Sequence, residues 1–347
     1  MRSSSGALVV LAVMAMLAGG CGGDATKTVT VRAPGDGGAR ATLASARGVE
    51  DQFVDVVQQL SPHVVQIETS EGLGSGIVYD GRGDIVTNAH VVGSSKQFTV
   101  TLAAGDRHDA RLIGTFVPDD LAVIRLDPLP SRVPQPARFA DSSKLQVGQL
   151  VLAIGNPLGL RSSVTNGIIS SLRRTVSEGN GAVIAAAVQT SASINPGNSG
   201  GALGDLSGAV VGIPTLAAVD PQLGGGAAPG IGFAIPSNRI RQIASQLIAS
   251  GHVTRSGRAF LGVGIATSAM GEGVVVVASV QQGGAAAKAG IRRGDVILKV
   301  DGHAIATADD LATVLAGLRP GQTVPVAVRH PDGQTATVQV TLGELPG

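Results

Sequence analysis

The sequence predicts a mainly β chain of the antiparallel barrel class, and three observations carry that reading. Short apolar runs recur from His63 to about Pro236, each broken by a turn and not by a helical stretch, which argues against alternating βαβ units. The 50 glycines among 347 residues suit tight turns and barrel corners. Aromatic residues make up only 2% of the chain and Trp is absent, so Val, Ile, Leu and Ala must fill the cores. At 44% hydrophobic and 15% charged, the chain is long enough for two or three cores. Its formal net charge is +1 with no basic stripe, which leaves nucleic-acid binding without support.

The N-terminus reads as a targeting segment. Arg2 precedes an apolar stretch, Ala7 to Leu17, too short to cross a bilayer comfortably but suited to a signal-peptide core. It ends in Leu17-Ala18-Gly19-Gly20-Cys21, and this sole cysteine has no internal disulfide partner. The site resembles a bacterial lipobox with Cys21 lipidated, although Ala18 stands where Leu is usual. Ordinary signal-peptidase cleavage to a secreted product and an uncleaved anchor are the alternatives. All three place the chain outside the cytoplasm, the lipidated form on the cell membrane. Residues 1–21 are thus a signal peptide with lipobox, and residues 22–48, rich in Gly, Ala and Thr, a flexible linker.

Structured sequence begins near Val49. Phe53, Val56, Val57 and Leu60 fall at helical spacing before Pro62. Strands follow at Val64 to Ile67, at Ile77-Val78-Tyr79 before a turn, and at the alternating Phe98, Val100 and Leu102. Further strands are Val151 to Ile154, Ala209 to Ile213 and Ile231 to Ile235. Gly72-Leu73-Gly74-Ser75-Gly76 is dinucleotide-like in letters only, since a strand and not a helix follows it. Ser237-Asn238 caps a helix carrying Ile240, Ile243, Leu247 and Ile248 on one face, stopped by Gly251. Thr307 and Asp310 form a capping-box start to a helix with Leu311, Val314, Leu315 and Leu318.

One heptapeptide concentrates chemistry. Asn195-Pro196-Gly197-Asn198-Ser199-Gly200-Gly201 sets a serine among residues that free the backbone, so a hydroxyl can be exposed beside inward-turned amides. The G-x-S-x-G pattern admits an α/β-hydrolase elbow or a chymotrypsin-like serine protease. Chain order separates them: the hydrolase runs Ser, Asp, His, and the three histidines after Ser199 lack a convincing strand end and acidic partner. Before Ser199 come His90, in Thr87-Asn88-Ala89-His90-Val91, and Asp120, opening Leu121-Ala122-Val123. In this order Ser199 is the nucleophile, His90 the base that takes its proton, and Asp120 the carboxylate that orients the imidazole and stabilises its cation. Asp119 is a rival for the acid. The amides of Gly197 and Ser199, with Asn198 shaping the turn, are candidates for an oxyanion hole. No metal cluster, phosphate loop or cofactor motif is found.

The segments Thr87 to Val91, Asp120 to Val123, Gly197 to Gly201 and Gly230 to Pro236 together resemble the HtrA (DegP-like) serine proteases, from about Val49 to the C-terminus. The resemblance implies a chymotrypsin-like double antiparallel β-barrel at 49–252, then a PDZ domain at 258–345, β-sandwich-like with two helices. It implies ATP-independent endopeptidase activity in protein quality control, on misfolded or specific envelope proteins, with cleavage after small or medium aliphatic residues. A chaperone-like or signalling role in peptide binding is the alternative. Phe260, Leu261, Gly262 and Val263 resemble the PDZ carboxylate-binding loop, where a C-terminal peptide adds as a strand. Leu311 and Leu315 either line its side-chain pocket or are plain core. The family also implies a homotrimer. Gly-rich sequence within Arg173–Ala186 and Val219–Gly230 suggests gating loops. Three positions depart from the pattern: Ser191 for Asp, Ala202 for Pro, and Pro214 for Asn, the last removing a donor beside the expected substrate strand.

Overall fold

The computed structural model describes residues 36–347, except 133, 157–162, 178–181, 196, 221–225 and 268–273. The signal peptide, Cys21 and the first part of the linker lie outside the described residues. The chain divides into two compact units, Met1–Arg47 and Gly48–Gly347. Helix α1 (Asp36–Leu60) spans that division. Its start falls inside the stretch that composition assigns to the linker. The run Ala39-Arg40-Ala41-Thr42-Leu43-Ala44 consists mostly of strong helix formers, which favours a helical backbone over coil.

Two closed barrels follow. The first contains β1 (Val64–Glu68), β2 (Leu73–Val78), β3 (Asp84–Thr87), β4 (Gln97–Thr101), β5 (Arg107–Phe116) and β6 (Leu121–Leu126), in the order β1-β2-β3-β6-β5-β4. The short helix α2 (Ala89–Val92) leaves the barrel after β3. The second barrel repeats the order with β7 (Leu150–Gly155), β8 (Ser163–Ser177), β9 (Val183–Thr190), β10 (Ala202–Asp205), β11 (Val210–Asp220) and β12 (Gly226–Pro236).

Burial explains why these strands read as continuous apolar runs. Successive side chains point to opposite faces of a strand, and here both faces are covered. Val65, Val78, Ile85, Ala122 and Ile124 fill the interior of the first barrel. Their neighbours Val64, Ile77, Val86, Leu121 and Val123 join a second cluster with Leu152, Ile154, Ile213 and Ile235 of the other barrel. Helix α3 (Ser237–Ser250) closes that shared core with Ile240, Ile243 and Leu247. Each fully buried aliphatic side chain contributes roughly 1.5–3 kcal/mol, and Phe116 and the tilted Tyr79–Phe139 pair, 5.5 Å between ring centroids, add to the same cluster.

Gly251, in the left-handed region at φ 76°, ends α3 as expected. The start differs. The residue flanking α3 is Pro236, with no side-chain cap; Ser237 Oγ donates instead to the carbonyl of Ala140 at 2.7 Å. Asn238 turns outward to Asp141 at 2.7 Å, so long-range partners displaced the local cap.

The segments marked as gating loops are largely strand. Arg173–Ala186 falls on the β8–β9 hairpin and Val219–Gly230 on the β11–β12 hairpin, with only the tips outside the described residues. β-Branched residues such as Val183 and Ile184 favour the extended form. Register shifts between Ile169 and Val176, with Arg173 and Ala186 at positive φ, bend that hairpin.

The C-terminal region is built from β13 (Ala259–Phe260), β14 (Val263–Thr267), β15 (Val275–Val280), α4 (Ala285–Lys288), β16 (Val296–Val300), β17 (His303–Ala304), α5 (Ala308–Ala316), β18 (Thr323–Arg329), β19 (Thr335–Thr341) and β20 (Gly343–Glu344). Its sheet runs β14-β15-β16-β18-β19, with β17 beside β16, and β13 pairs with β20. Thr307 and Asp310 form the capping box of α5: each side chain accepts the other's amide, at 3.0 and 2.8 Å. Asp310 is thereby held below the usual carboxylate range, chiefly by the amides of Ala306 and Thr307.

Candidate active site

The cleft side of the barrels gathers residues far apart in sequence. His90 sits in α2, directly after β3, with Asn88 as the flanking residue in extended conformation. Asp120 follows a single turn of 3-10 helix, Val117–Asp119, and adopts the left-handed conformation at φ 52°, which Asp tolerates better than most residues. That turn points its carboxylate back at α2. His90 Nδ1 lies 2.7 Å from Asp120 Oδ2, and the His90 amide donates to Oδ1 at 2.9 Å. The Asp120 carbonyl accepts from the Ala89 amide and from Asn88 Nδ2, both at 3.1 Å. Asp120 is 1% exposed, whereas the His90 side chain is 35% exposed, so the acid is sequestered while the imidazole reaches solvent.

Asp119 points the other way. Its carboxylate, 2% exposed, meets Arg239 Nε at 2.5 Å and Arg258 Nη1 at 2.8 Å. Arg258 also donates to the carbonyls of Pro118 and Val183. Burial pushes the Arg258 guanidinium down from its ordinary value, against the pull of Asp119. Of the two adjacent acids, Asp120 therefore belongs to His90 and Asp119 to a buried ion-pair cluster.

Ser199 arrives from the second barrel. Its Oγ donates to the carbonyl of Thr215 at 3.3 Å, and Thr215 Oγ1 donates to Asp120 Oδ2 at 2.6 Å. One residue of β11 thus touches both the serine and the acid. The loop around Ser199 is tightly determined. Gly197 takes φ 110°, open only to glycine, and Gly200 takes φ 79°. The Asn198 amide turns inward to the carbonyl of Asn195 at 3.1 Å, while its side chain bonds Asn195 N and Ser193 O. Among the described residues, the amides of Gly197 and Ser199 donate to no protein acceptor. Those are the two amides that motif reasoning assigns to an oxyanion.

The departures from the family pattern are accommodated. Ser191 Oγ accepts the Ile168 amide at 3.0 Å, and Ala202 is buried at the start of β10. Pro214 keeps a role as acceptor, taking the Gly200 amide at 3.1 Å.

Phe260, Leu261, Gly262 and Val263 form the turn from β13 into β14, with Gly262 at φ 78°. Beside it lies a cavity of about 220 Å³ lined by Phe260, Leu261, Val263, Ile265, Leu311 and Leu315, with Arg258 and Pro118 also on its wall. Leu311 is 4% exposed and belongs to the core cluster while also lining this cavity.

Comparison with known proteins agrees with these two regions. A trypsin-like peptidase domain family matches residues 74–213, and a PDZ domain family matches residues 259–342. The serine protease PepD of Mycobacterium tuberculosis is 38% identical, over 99% of this chain and 79% of that protein. The chain belongs to the HtrA-like serine proteases. This HtrA-type protease is also 40% identical to the serine protease Do-like HtrA of Lactobacillus helveticus, over 78% of this chain and 68% of that one. Among solved structures, the HtrA-type protease AlgW with decapeptide matches at a TM-score of 0.57 and 29% identity, covering 85% of this chain and 99% of its own. The serine endoprotease from Yersinia pestis matches at a TM-score of 0.55 and 34% identity, covering 84% and 98%. The protein is a serine endopeptidase, mostly β, with a trypsin-like domain and a PDZ domain.

Thr215 and Ser75 also contact Ser199, and neither is singled out by a sequence motif. Thr215 carries no local signal, because a threonine in a strand is ordinary. Ser75 was visible only as part of a glycine-rich run that resembled a nucleotide loop.

Proposed function

We propose that peptide-bond hydrolysis runs through His90, Asp120 and Ser199. The observation that carries this is the shared contact at Thr215, which bonds both the Ser199 hydroxyl and the carboxylate that holds His90. With Nδ1 given to Asp120, Nε2 is the His90 nitrogen that would take the Ser199 proton as Oγ attacks the scissile carbonyl. The resulting imidazolium sits against the buried Asp120 carboxylate and then returns the proton to the leaving amine. The amides of Gly197 and Ser199 would receive the oxyanion, each contributing about 3–4 kcal/mol to the transition state.

Substrates are misfolded or flexible chains, which can enter the cleft in extended form. The β14–α5 cavity takes a C-terminal peptide: its strand adds to β14, its carboxylate meets amides of Phe260 to Gly262, and its last side chain enters between Leu311 and Leu315. The decapeptide in the AlgW structure and the periplasmic DegP-like endoprotease of Brucella suis support peptide binding and an extracytoplasmic site of action. Lipid attachment at Cys21 and assembly into a trimer complete the reading.

The test is fluorophosphonate labelling with casein digestion. Wild type does both, while Ser199→Ala and His90→Ala do neither. Hydrolysis that survives in folded Ser199→Ala refutes the assignment.

A further inference from the structure

Ser75 lies in β2 of the first barrel, 0% exposed, yet most of its polar atoms reach toward the nucleophile loop of the second. Its Oγ lies 2.6 Å from the Gly197 carbonyl and 2.8 Å from the Asn156 amide. Its own amide donates to the Ser199 carbonyl at 3.1 Å. Its carbonyl accepts from Thr87 Oγ1 at 2.6 Å, and Thr87 ends the strand that leads into His90. A hydroxyl has a single proton. Because the Asn156 amide is itself a donor, that proton is directed to the Gly197 carbonyl.

From this geometry we infer that Ser75 is a positioning residue for the oxyanion hole, acting through the Gly197–Asn198 peptide. That peptide is held at both ends, its carbonyl by Ser75 and its N–H by Asn195. With both groups so directed, the amides immediately before and after it, at Gly197 and Ser199, are left facing the substrate side. Gly197 supplies the conformational freedom that makes the arrangement reachable, and the same freedom would let the peptide rotate without a restraint. The restraint is buried and doubly bonded, so it is stiff. It also ties β3, the strand that leads into His90, to the serine-bearing loop through one residue. This inference rests on the assignment of Ser199 as nucleophile and of the two amides as oxyanion donors.

The Ser75→Ala variant removes the hydroxyl while leaving Ser199, His90 and Asp120 in place. Deleting an oxyanion donor outright typically costs 100- to 1000-fold in kcat; loosening donors that remain present should cost about 10- to 100-fold. In the full chain, kcat on a fluorogenic peptide falls by that factor with KM within threefold. Affinity for the matching peptidyl boronic acid, which uses the oxyanion hole, falls by a similar factor. Ser75→Cys keeps a γ atom, larger than oxygen and a weak donor, and is the variant to use should Ser75→Ala not fold; it shows a loss in the same direction. Circular dichroism establishes folding in each case. A kcat within twofold of wild type in either folded variant, or a loss that sits wholly in KM, overturns the inference. Ser199→Ala is assayed alongside. Near-wild-type kcat in Ser75→Ala beside an inert Ser199→Ala overturns the role of Ser75 alone, whereas hydrolysis by Ser199→Ala overturns the nucleophile assignment and this inference with it.

Discussion

Replacing Thr215 by Val removes a hydroxyl from the centre of the site at nearly constant shape. In the native arrangement the Asp120 carboxylate accepts three hydrogen bonds: His90 N at 2.9 Å, His90 Nδ1 at 2.7 Å and Thr215 Oγ1 at 2.6 Å. Asp120 is 1% exposed, so water cannot readily replace a lost donor. A hydrogen bond to a charged group contributes about 1.5–3 kcal/mol. At 1.36 kcal/mol per factor of ten, the ceiling on the effect is roughly 13- to 160-fold in kcat. Only the share of that hydrogen bond that orients the histidine reaches the rate. The expected loss is therefore near the lower end, about tenfold. Thr215→Ser, which keeps the hydroxyl, retains kcat within about threefold. Both are measured by steady-state hydrolysis of a fluorogenic peptide, with thermal melting to establish folding. Wild-type kcat in folded Thr215→Val would show that the hydroxyl does not hold the acid.

Three other outcomes follow from particular contacts. Asp120→Asn lowers kcat by about four orders of magnitude, while Asp119→Asn stays within about tenfold of wild type but melts at lower temperature, because its carboxylate serves Arg239 and Arg258. Equal losses in the two variants would contradict the division of labour between these acids. Gly200→Ala places a Cβ 2.2 Å from the Ser75 carbonyl at φ 79°, so fluorophosphonate labelling falls at least about 100-fold, with about 1–2 kcal/mol lost to the left-handed dihedral alone; normal labelling would refute the crowding. Asp141 is held at about 2 by the Asn238 side chain first and by Ser143 next. Its folded-state value is depressed, so its contribution to stability is full above its unfolded value and disappears as pH falls toward about 2. The melting-temperature gap between wild type and Asp141→Asn should accordingly be largest near pH 5 and close on acidification, and a gap that widens as pH falls would contradict the sign.

Surface and burial explain how the two domains meet. Arg258 immediately precedes β13 and, together with Pro118, stands on the wall of the cavity beside β14 and α5. The same guanidinium bonds Pro118 and Asp119, the two residues before Asp120. A buried ion pair is a poor source of net stability, but removing one partner strands the other charge. The contact therefore fixes where the PDZ domain sits against the turn that carries Asp120.

Local pattern was enough for much of this molecule. Continuous apolar runs such as Val151 to Ile154 specify strands because period-two side chains there are buried on both faces. The capping box of Thr307 and Asp310 is a four-residue event, and the order of His90, Asp120 and Ser199 is written along the chain. What the sequence could not decide were relations that exist only once the barrels close. Asp119 and Asp120 stand side by side, and although the family pattern favours Asp120, only the fold shows why: Asp120, left-handed at φ 52°, turns to His90 while Asp119 meets two arginines. Ser237 is a good local cap that long-range bonding redirected to Ala140. Thr215 and Ser75 are ordinary strand residues until folding brings them to Asp120 and to Gly197, where burial removes competing water and makes each hydroxyl's direction count.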